Sequence, residues 1–197
     1  MEEIIQSFSN LEFNWQIEES FAVFFSVIYV ILAAKENIWC WPAALISVSL
    51  YIYICYQAQL YPETGLQIFY FLMAIYGYIV WNKSDTEKIK EWSEIKHLTI
   101  ILTGAFLTFL IGFYFAEYTN SKKPIVDSFT TVFSVIATYM VIRKVLENWL
   151  YWIVIDIVSV YLYFSRGLHL TSLLFICYSI IALYGYFSWI KRMKSHA

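Results

Sequence analysis

Charge is scarce in this chain. Only 14% of its 197 residues are Asp, Glu, Lys or Arg, and mean hydropathy is +0.61. A soluble domain carries roughly a quarter charged residues, so an ordinary water-soluble globule is excluded. Cysteine is equally sparse. Cys40, Cys55 and Cys177 stand alone in apolar runs, with no CxxC and no paired spacing. That excludes a disulfide framework and a cysteine metal site, and leaves three small core residues. His97, His169 and His196 lie in or near expected loops and form no ligand cluster. There is no Ser/His/Asp set, no HExxH and no Gly-rich phosphate loop, so neither an enzyme nor a resident cofactor or metal is expected. No basic, aromatic-interleaved stretch points to nucleic acid. The start, Met1-Glu2-Glu3, lacks the basic region of a signal peptide, so the first apolar run is expected to stay uncleaved.

Apolar and aromatic residues fill the space that charge leaves, at 60% and 21% of the chain. Seven apolar runs alternate with short polar segments, which predicts one integral membrane domain over residues 1–197. Residues 1–18 read as an amphipathic surface segment, with Phe8, Leu11, Phe13 and Trp15 along it. The expected helices span roughly 20–34, 38–56, 66–81, 98–115, 125–142, 149–164 and 170–190. Pro42 falls in the first turn of the second, where its missing N–H costs little. Tyr61-Pro62-Glu63-Thr64-Gly65 reads as a turn, and residues 82–97 as a solvated connector with alternating Lys and Glu. With the N-terminus outside, ten of the 13 basic residues collect on one side and three, Lys122, Lys123 and Arg166, on the other. The positive-inside rule then puts the N-terminus outside and the C-terminus in the cytoplasm.

One stretch concentrates chemistry. In Glu147-Asn148-Trp149-Leu150-Tyr151-Trp152-Ile153-Val154-Ile155-Asp156, helical spacing puts Trp149, Trp152 and Asp156 on one face. A carboxylate costs roughly 2.5–3.5 kcal/mol at a bilayer centre, so an intramembrane Asp is a functional candidate by default. Flat rings beside a buried acceptor suit a flat polar or cationic solute. The competing reading gives the tryptophans to an interfacial belt and Asp156 to helix pairing.

The chain also repeats itself. Glu36-Asn37-Ile38-Trp39-Cys40-Trp41 echoes Glu147-Asn148-Trp149-Leu150-Tyr151-Trp152, an offset of 147 − 36 = 111. Ala74 to Trp81 echoes Ala182 to Trp189 at 184 − 76 = 108, with Tyr-Gly-Tyr in both. Taken together these predict a duplication, with Trp41 matched to Trp152 and a loop three residues shorter in the second copy. A three-helix unit ends on the face opposite its start, so one more helix must carry the chain back. The expectation is a parallel 3+1+3 pseudo-repeat: residues 20–81, a connector helix over 98–115, and residues 125–190. Parallel repeats are a transporter architecture with its site between them near midplane.

These residues resemble the PnuC family of bacterial vitamin transporters. The resemblance rests on Glu36-Asn37 with Trp41 and Pro42, on Leu66-Gln67-Ile68-Phe69-Tyr70, and on Trp149, Trp152 and Asp156. The Gly167-Leu168-His169-Leu170-Thr171 turn and the repeated Tyr-Gly-Tyr endings add to it. It covers nearly the whole chain. It implies an all-α seven-helix fold similar to a full-length SWEET transporter, often trimeric in the membrane lipid. It also implies uptake of nicotinamide riboside by facilitated diffusion, with a cytoplasmic kinase trapping the substrate. Relatives carry thiamine or riboflavin instead.

Carried over to this chain, Trp149 and Trp152 would stack on the ring and Asp156 would accept hydrogen bonds from it or from ribose. Gln67 would reach in from the other half, or form an interhelical amide bond. Trp41 would complete an aromatic wall, or pack; Tyr70 and Tyr178 are further candidates among 17 tyrosines. Ser47 departs from the pattern, because riboside carriers of this family favour Asn there. That departure leaves the vitamin open. A purely structural membrane protein gives no reason for a duplicated aromatic helix with an acid. Ion-coupled transport would need further buried ionisable groups, and Asp127 and Glu117 sit at expected helix ends.

Overall fold

The computed structural model describes residues 17–57, 61–83, 88–118, 123–165 and 169–195. Nearly all of the expected N-terminal surface segment, and part of the turn at residues 167–171, lie outside the described residues. Seven helices make up the rest: α1 (Ile17–Ala34), α2 (Cys40–Gln57), α3 (Tyr61–Lys83), α4 (Glu94–Tyr118), α5 (Pro124–Ile142), α6 (Asn148–Phe164) and α7 (His169–Ser195). Six are long and apolar enough to cross a membrane, and α6 is a shorter apolar helix. The chain is an all-α, multi-pass membrane protein.

α3 and α4 begin four to five residues earlier than hydropathy predicts. The segment expected as a turn, Tyr61 to Gly65, is the first turn of α3. Pro62 costs little at the second helical position, and Glu63 complements the helix dipole. α4 likewise extends through the polar Glu94-Ile95-Lys96-His97 turn, so His97 is helical rather than in a loop. Polar first turns stabilise a helix but carry no apolar signal. Cys40 is buried as expected, but Cys55 is half-buried and Cys177 exposed.

Six helices close into a ring. Sequence neighbours pack within α1–α2–α3 and within α5–α6–α7, and the ring is completed where α1 meets α7 and α3 meets α5. α4 lies outside, against α5. Gly104, Thr108 and Gly112 form a buried stripe at four-residue spacing along α4. A methyl at Gly104 would sit 2.8 Å from Phe133, and one at Gly112 would sit 2.5 Å from Ile125. Small residues therefore let the two helices approach closely. The outer face of α4, including Leu102, Phe106 and Phe113, is exposed. Such a face suits lipid.

The contacts recur at one offset, 108 residues. α1 ends with Glu36 at φ 52°, and α5 with Lys144 at φ 50°. In both corners the chain turns through a left-handed cap. Asn37 N–H reaches Leu32 O and Val145 N–H reaches Met140 O, each at 2.9 Å. Trp41 packs on Gly77, and Trp149 on Gly185. Trp41 meets Trp81 edge to face with centroids 5.3 Å apart, and Trp149 meets Trp189 at 5.4 Å. Trp41 is thus matched by Trp149, not Trp152, and the mate of Trp152 is Ala44. The offset of 111 came from pairing Glu36 with Glu147. The structural register gives no three-residue difference between the halves, and puts Trp39 opposite Glu147.

Gly185 fixes the depth at which Trp149 seats. Its added methyl would lie 2.8 Å from the indole, whereas Gly65 has nothing within 4 Å. Gly185→Ala is expected to lower the unfolding free energy by about 1–3 kcal/mol through overpacking, and Gly65→Ala to leave it unreduced. Thermal midpoints of the two variants in one detergent check this. Equal midpoints would mean that the Trp149 ring yields freely.

Candidate functional site

The interior is layered along the bundle axis, and the layers follow from where each helix starts. α2 and α6 begin at the end where α1, α3, α5 and α7 finish or approach their finish. Residues early in α2 and α6 therefore meet residues late in the others. This brings Trp41, Trp81, Trp149 and Trp189 into one cluster, all at most 5% exposed. Trp81 Nε1–H donates to Ile142 O and Trp189 Nε1–H to Ala33 O, both at 3.1 Å. Each bond joins the third helix of one half to the first helix of the other. The Trp41 and Trp149 indole N–H groups are buried with no partner among the described residues.

An ion pair lies at the same end. Lys144 Nζ sits 2.8 Å from Glu36 Oε1, with Arg192 Nη1 at 3.8 Å from the other carboxylate oxygen. Lys144 is 8% exposed and stands 5.2 Å over the Trp81 ring. The two paired residues occupy equivalent positions, 144 − 36 = 108. Holding two non-glycine residues at positive φ costs about 1–2 kcal/mol each, and the ion pair explains why neither is glycine.

A polar layer lies mid-helix. The Ser26 and Tyr178 hydroxyls hydrogen-bond between α1 and α7. Tyr70 hydrogen-bonds Ser134 between α3 and α5. These two pairs are again equivalent at 108, and they sit at the two seams that close the ring. Asp156 is 3% exposed, within electrostatic reach of Tyr178, and has no cationic partner among the described residues. Tyr51 is in electrostatic reach of Tyr178, and Tyr29 of Tyr70. Trp152, half-buried and one turn before Asp156, bridges the two apolar clusters.

The eight candidate side chains thus divide between layers. Asp156 and Tyr178 come together in the polar layer, with Trp152 one turn before Asp156 on α6; Tyr70 sits with Ser134 at the α3–α5 seam. Trp149 and Trp41 belong to the packed tryptophan layer, where in this conformation neither ring has a free face. Ser47 is buried and donates to Ala22 O at 2.8 Å, which ties α2 to α1. Gln67 is half-buried on α3, in the turn before Tyr70. Sequence reasoning passed over Ser26 and Ser134. A constant offset of 108 would have matched them as it matches Tyr70 with Tyr178. Away from these layers, an apolar groove of about 380 Å³ runs between α4, α5 and α6, lined by Thr108, Phe129 and Val158 among others. It contains none of the candidates.

Asp156 is thus a buried acid near the Tyr178 hydroxyl, and the tryptophan layer lies toward one end of the bundle. The sequence profile of the nicotinamide mononucleotide transporter family matches residues 16–191. The chain belongs to this family. Its relatives include the nicotinamide riboside transporter PnuC of Escherichia coli, 28% identical over 192 residues, covering 83% of this chain and 80% of that one. The riboflavin/roseoflavin transporter RibM of Streptomyces davaonensis is 23% identical over 201 residues, covering 92% and 94%. The crystal structure of the vitamin B3 transporter PnuC superposes with a TM-score of 0.76 at 27% identity, covering 98% of this chain and 88% of that one. The resemblance to PnuC proteins read from the motifs is therefore shown. The relatives are named as transporters, in keeping with a protein that is not an enzyme.

The seam hydroxyls generate a stability prediction. Tyr70→Phe and Tyr178→Phe each remove one interhelical hydrogen bond and should each cost about 0.5–1.5 kcal/mol. Tyr53→Phe, at a site 53% exposed, should cost nothing measurable. Thermal unfolding in detergent reads all three, and a silent Tyr178→Phe would remove the seam from the account.

Proposed function

We propose that the chain imports nicotinamide riboside across a bacterial inner membrane. The observation that carries this reading is Asp156: a mid-helix carboxyl, buried, without a cation of its own among the described residues, one turn after Trp152 and near the Ser26–Tyr178 hydroxyl pair. Nicotinamide riboside is flat, cationic and hydroxyl-bearing. Its ring would lie against Trp152, with a cation–π contact of about 0.5–2 kcal/mol, and its charge would complete the unpaired acid. Tyr178 and Tyr70 are suited to the ribose hydroxyls, with Gln67 reaching in from the other half. Trp149 and Trp41 would form the floor beneath the ring, and Ser47 would hold α2 against α1. The names of the E. coli relative and of the solved PnuC structure support the substrate.

In this reading residues 20–81 and 125–190 are the two repeats and residues 98–115 lie in the connector. The ten-to-three division of basic residues supports an outside N-terminus and a cytoplasmic C-terminus. Among the described residues Asp156 is the one carboxylate buried mid-helix, so uncoupled diffusion, with trapping by a cytoplasmic kinase, is the simplest mechanism. A homotrimer embedded in lipid is the assembly the family resemblance supports. A second vitamin is favoured by one comparison: the riboflavin carrier matches more of both chains than the E. coli protein does, at lower identity. Ser47 at the family's Asn position leaves room for it and for thiamine.

Uptake into proteoliposomes of the purified protein tests the proposal. Labelled nicotinamide riboside is expected to equilibrate without any ion gradient, and to exceed labelled thiamine and riboflavin. Asp156→Ala and Trp152→Ala are each expected to lower riboside uptake at least about tenfold, the equivalent of losing about 1.4 kcal/mol. Preference for thiamine or riboflavin with the same sensitivity would keep the site and change the vitamin. Transport indifferent to both substitutions would overturn the site.

A further inference from the structure

The two corners that meet at the ion pair are built alike, yet one is held by far more. Each closes the same left-handed cap. Glu36 N–H reaches Ala33 O at 2.9 Å, and Lys144 N–H reaches Val141 O at 3.0 Å. Each also receives one indole N–H, from Trp189 at the α1–α2 corner and from Trp81 at the α5–α6 corner. Beyond this the symmetry stops. The segment between α3 and α4 crosses the α5–α6 corner and pairs with its backbone. Lys90 N–H donates to Lys144 O at 3.0 Å, and Leu146 N–H donates to Lys90 O at 2.9 Å. The Glu147 carboxylate then accepts Trp92 N–H at 3.2 Å and stands 3.5 Å from His97 Nε2. His97 Nδ1 lies 3.0 Å from the Tyr151 hydroxyl.

The α1–α2 corner has no such strap among the described residues. What it has in addition is Arg192, 43% exposed and 3.8 Å from Glu36. The position matching Glu147 is Trp39, which is 67% exposed. An exposed Trp at a helix end suits the membrane interface, and it anchors nothing within the fold. Topology explains the difference. The connector between the halves must leave from this end of the bundle and passes the second corner. α1 begins at the opposite end.

We propose that the α3–α4 segment fixes the α5–α6 corner, so that the mouth on this face opens by displacement of the α1–α2 corner alone. The inference rests on the transport reading for its purpose, and on the bonding asymmetry for its content. Opening then breaks Glu36–Lys144, Glu36–Arg192 and the Trp189–Ala33 bond. The Trp81–Ile142 bond and the strap persist. Glu147 is the side chain that adds to the Lys90 backbone pairing in making the two corners unequal, and Glu36 is the one that ties the mobile corner to Lys144 and Arg192.

Hydrogen–deuterium exchange on the full chain in lipid nanodiscs, with no solute added, tests this independently of any substrate. The cap amide bonds match, Glu36 to Ala33 with Lys144 to Val141 and Asn37 to Leu32 with Val145 to Met140, so a difference between amides at 36–37 and 144–145 reports corner opening. Amides at 36–37 are expected to exchange at least about tenfold faster, because the second corner must also break the strap's hydrogen bonds. Glu36→Gln should speed 36–37 further and leave 144–145 unchanged. Glu147→Ala should narrow the difference by speeding 144–145. Equal exchange in the unsubstituted protein, loosening of both corners by Glu36→Gln, or an unchanged difference in Glu147→Ala would each overturn the proposal. A chain that carried no vitamin in liposomes, yet showed the asymmetry, would fail the functional reading and keep this one.

Discussion

Four indole rings set the spacing of this bundle. Trp41 and Trp149 seat on glycines, Trp81 and Trp189 meet them edge to face, and the last two donate across to the opposite half. Lipid offers helices little hydrophobic reason to associate, so close packing and interhelical hydrogen bonds must hold them. The tryptophan layer supplies both at one end, and the Ser–Tyr pairs supply hydrogen bonds at mid-depth. Everything between them, Asp156 included, has its position fixed by that frame. A buried acid beside Trp152 is tolerable only where neighbouring helices exclude lipid from it.

Much of this was legible from residues in a row. Apolar runs long enough to cross a bilayer gave the seven helices, because span length is fixed by the membrane. Asp156 stood out because a carboxylate at that depth has a known cost. The family motifs gave the carrier class. What stayed hidden was of two kinds. Polar first turns, at Tyr61 and Glu94, belong to their helices through hydrogen bonds and dipole, which hydropathy does not register. The repeat register differs at one end from the expected one, because Glu-Asn recurs at 36–37 and 147–148 while the structurally matched Trp41 and Trp149 have different neighbours. Packing on glycine, which settles the match of Trp41 with Trp149, is a property of the partner helix and appears only in three dimensions.

That same packing changes how the aromatic residues are to be understood. Helical spacing put Trp149 and Trp152 on one face and suggested a common task. Burial separates them: Trp149 is 2% exposed within the tryptophan layer, while Trp152 lies half-buried beside the polar layer. A shared face on one helix does not imply a shared neighbourhood when the surrounding helices end at different depths. The serines make the converse point. Ser26 and Ser134 are inconspicuous in sequence, yet each meets a tyrosine across a ring-closing seam.

Glu36 and Lys144 occupy the same place in two copies of one motif, and they carry opposite charge. Two identical halves meeting about a two-fold axis would bring glutamate against glutamate, or lysine against lysine, at that point. Either arrangement would push the mouth apart. A self-associating half-length ancestor could not have built this contact with either residue. Joining the copies in one chain frees the two positions to diverge, and divergence here turns a repulsion into a clasp. The connector that permits the fusion also brushes against only one of the halves. Within one chain, the two equivalent positions are free to carry opposite charge.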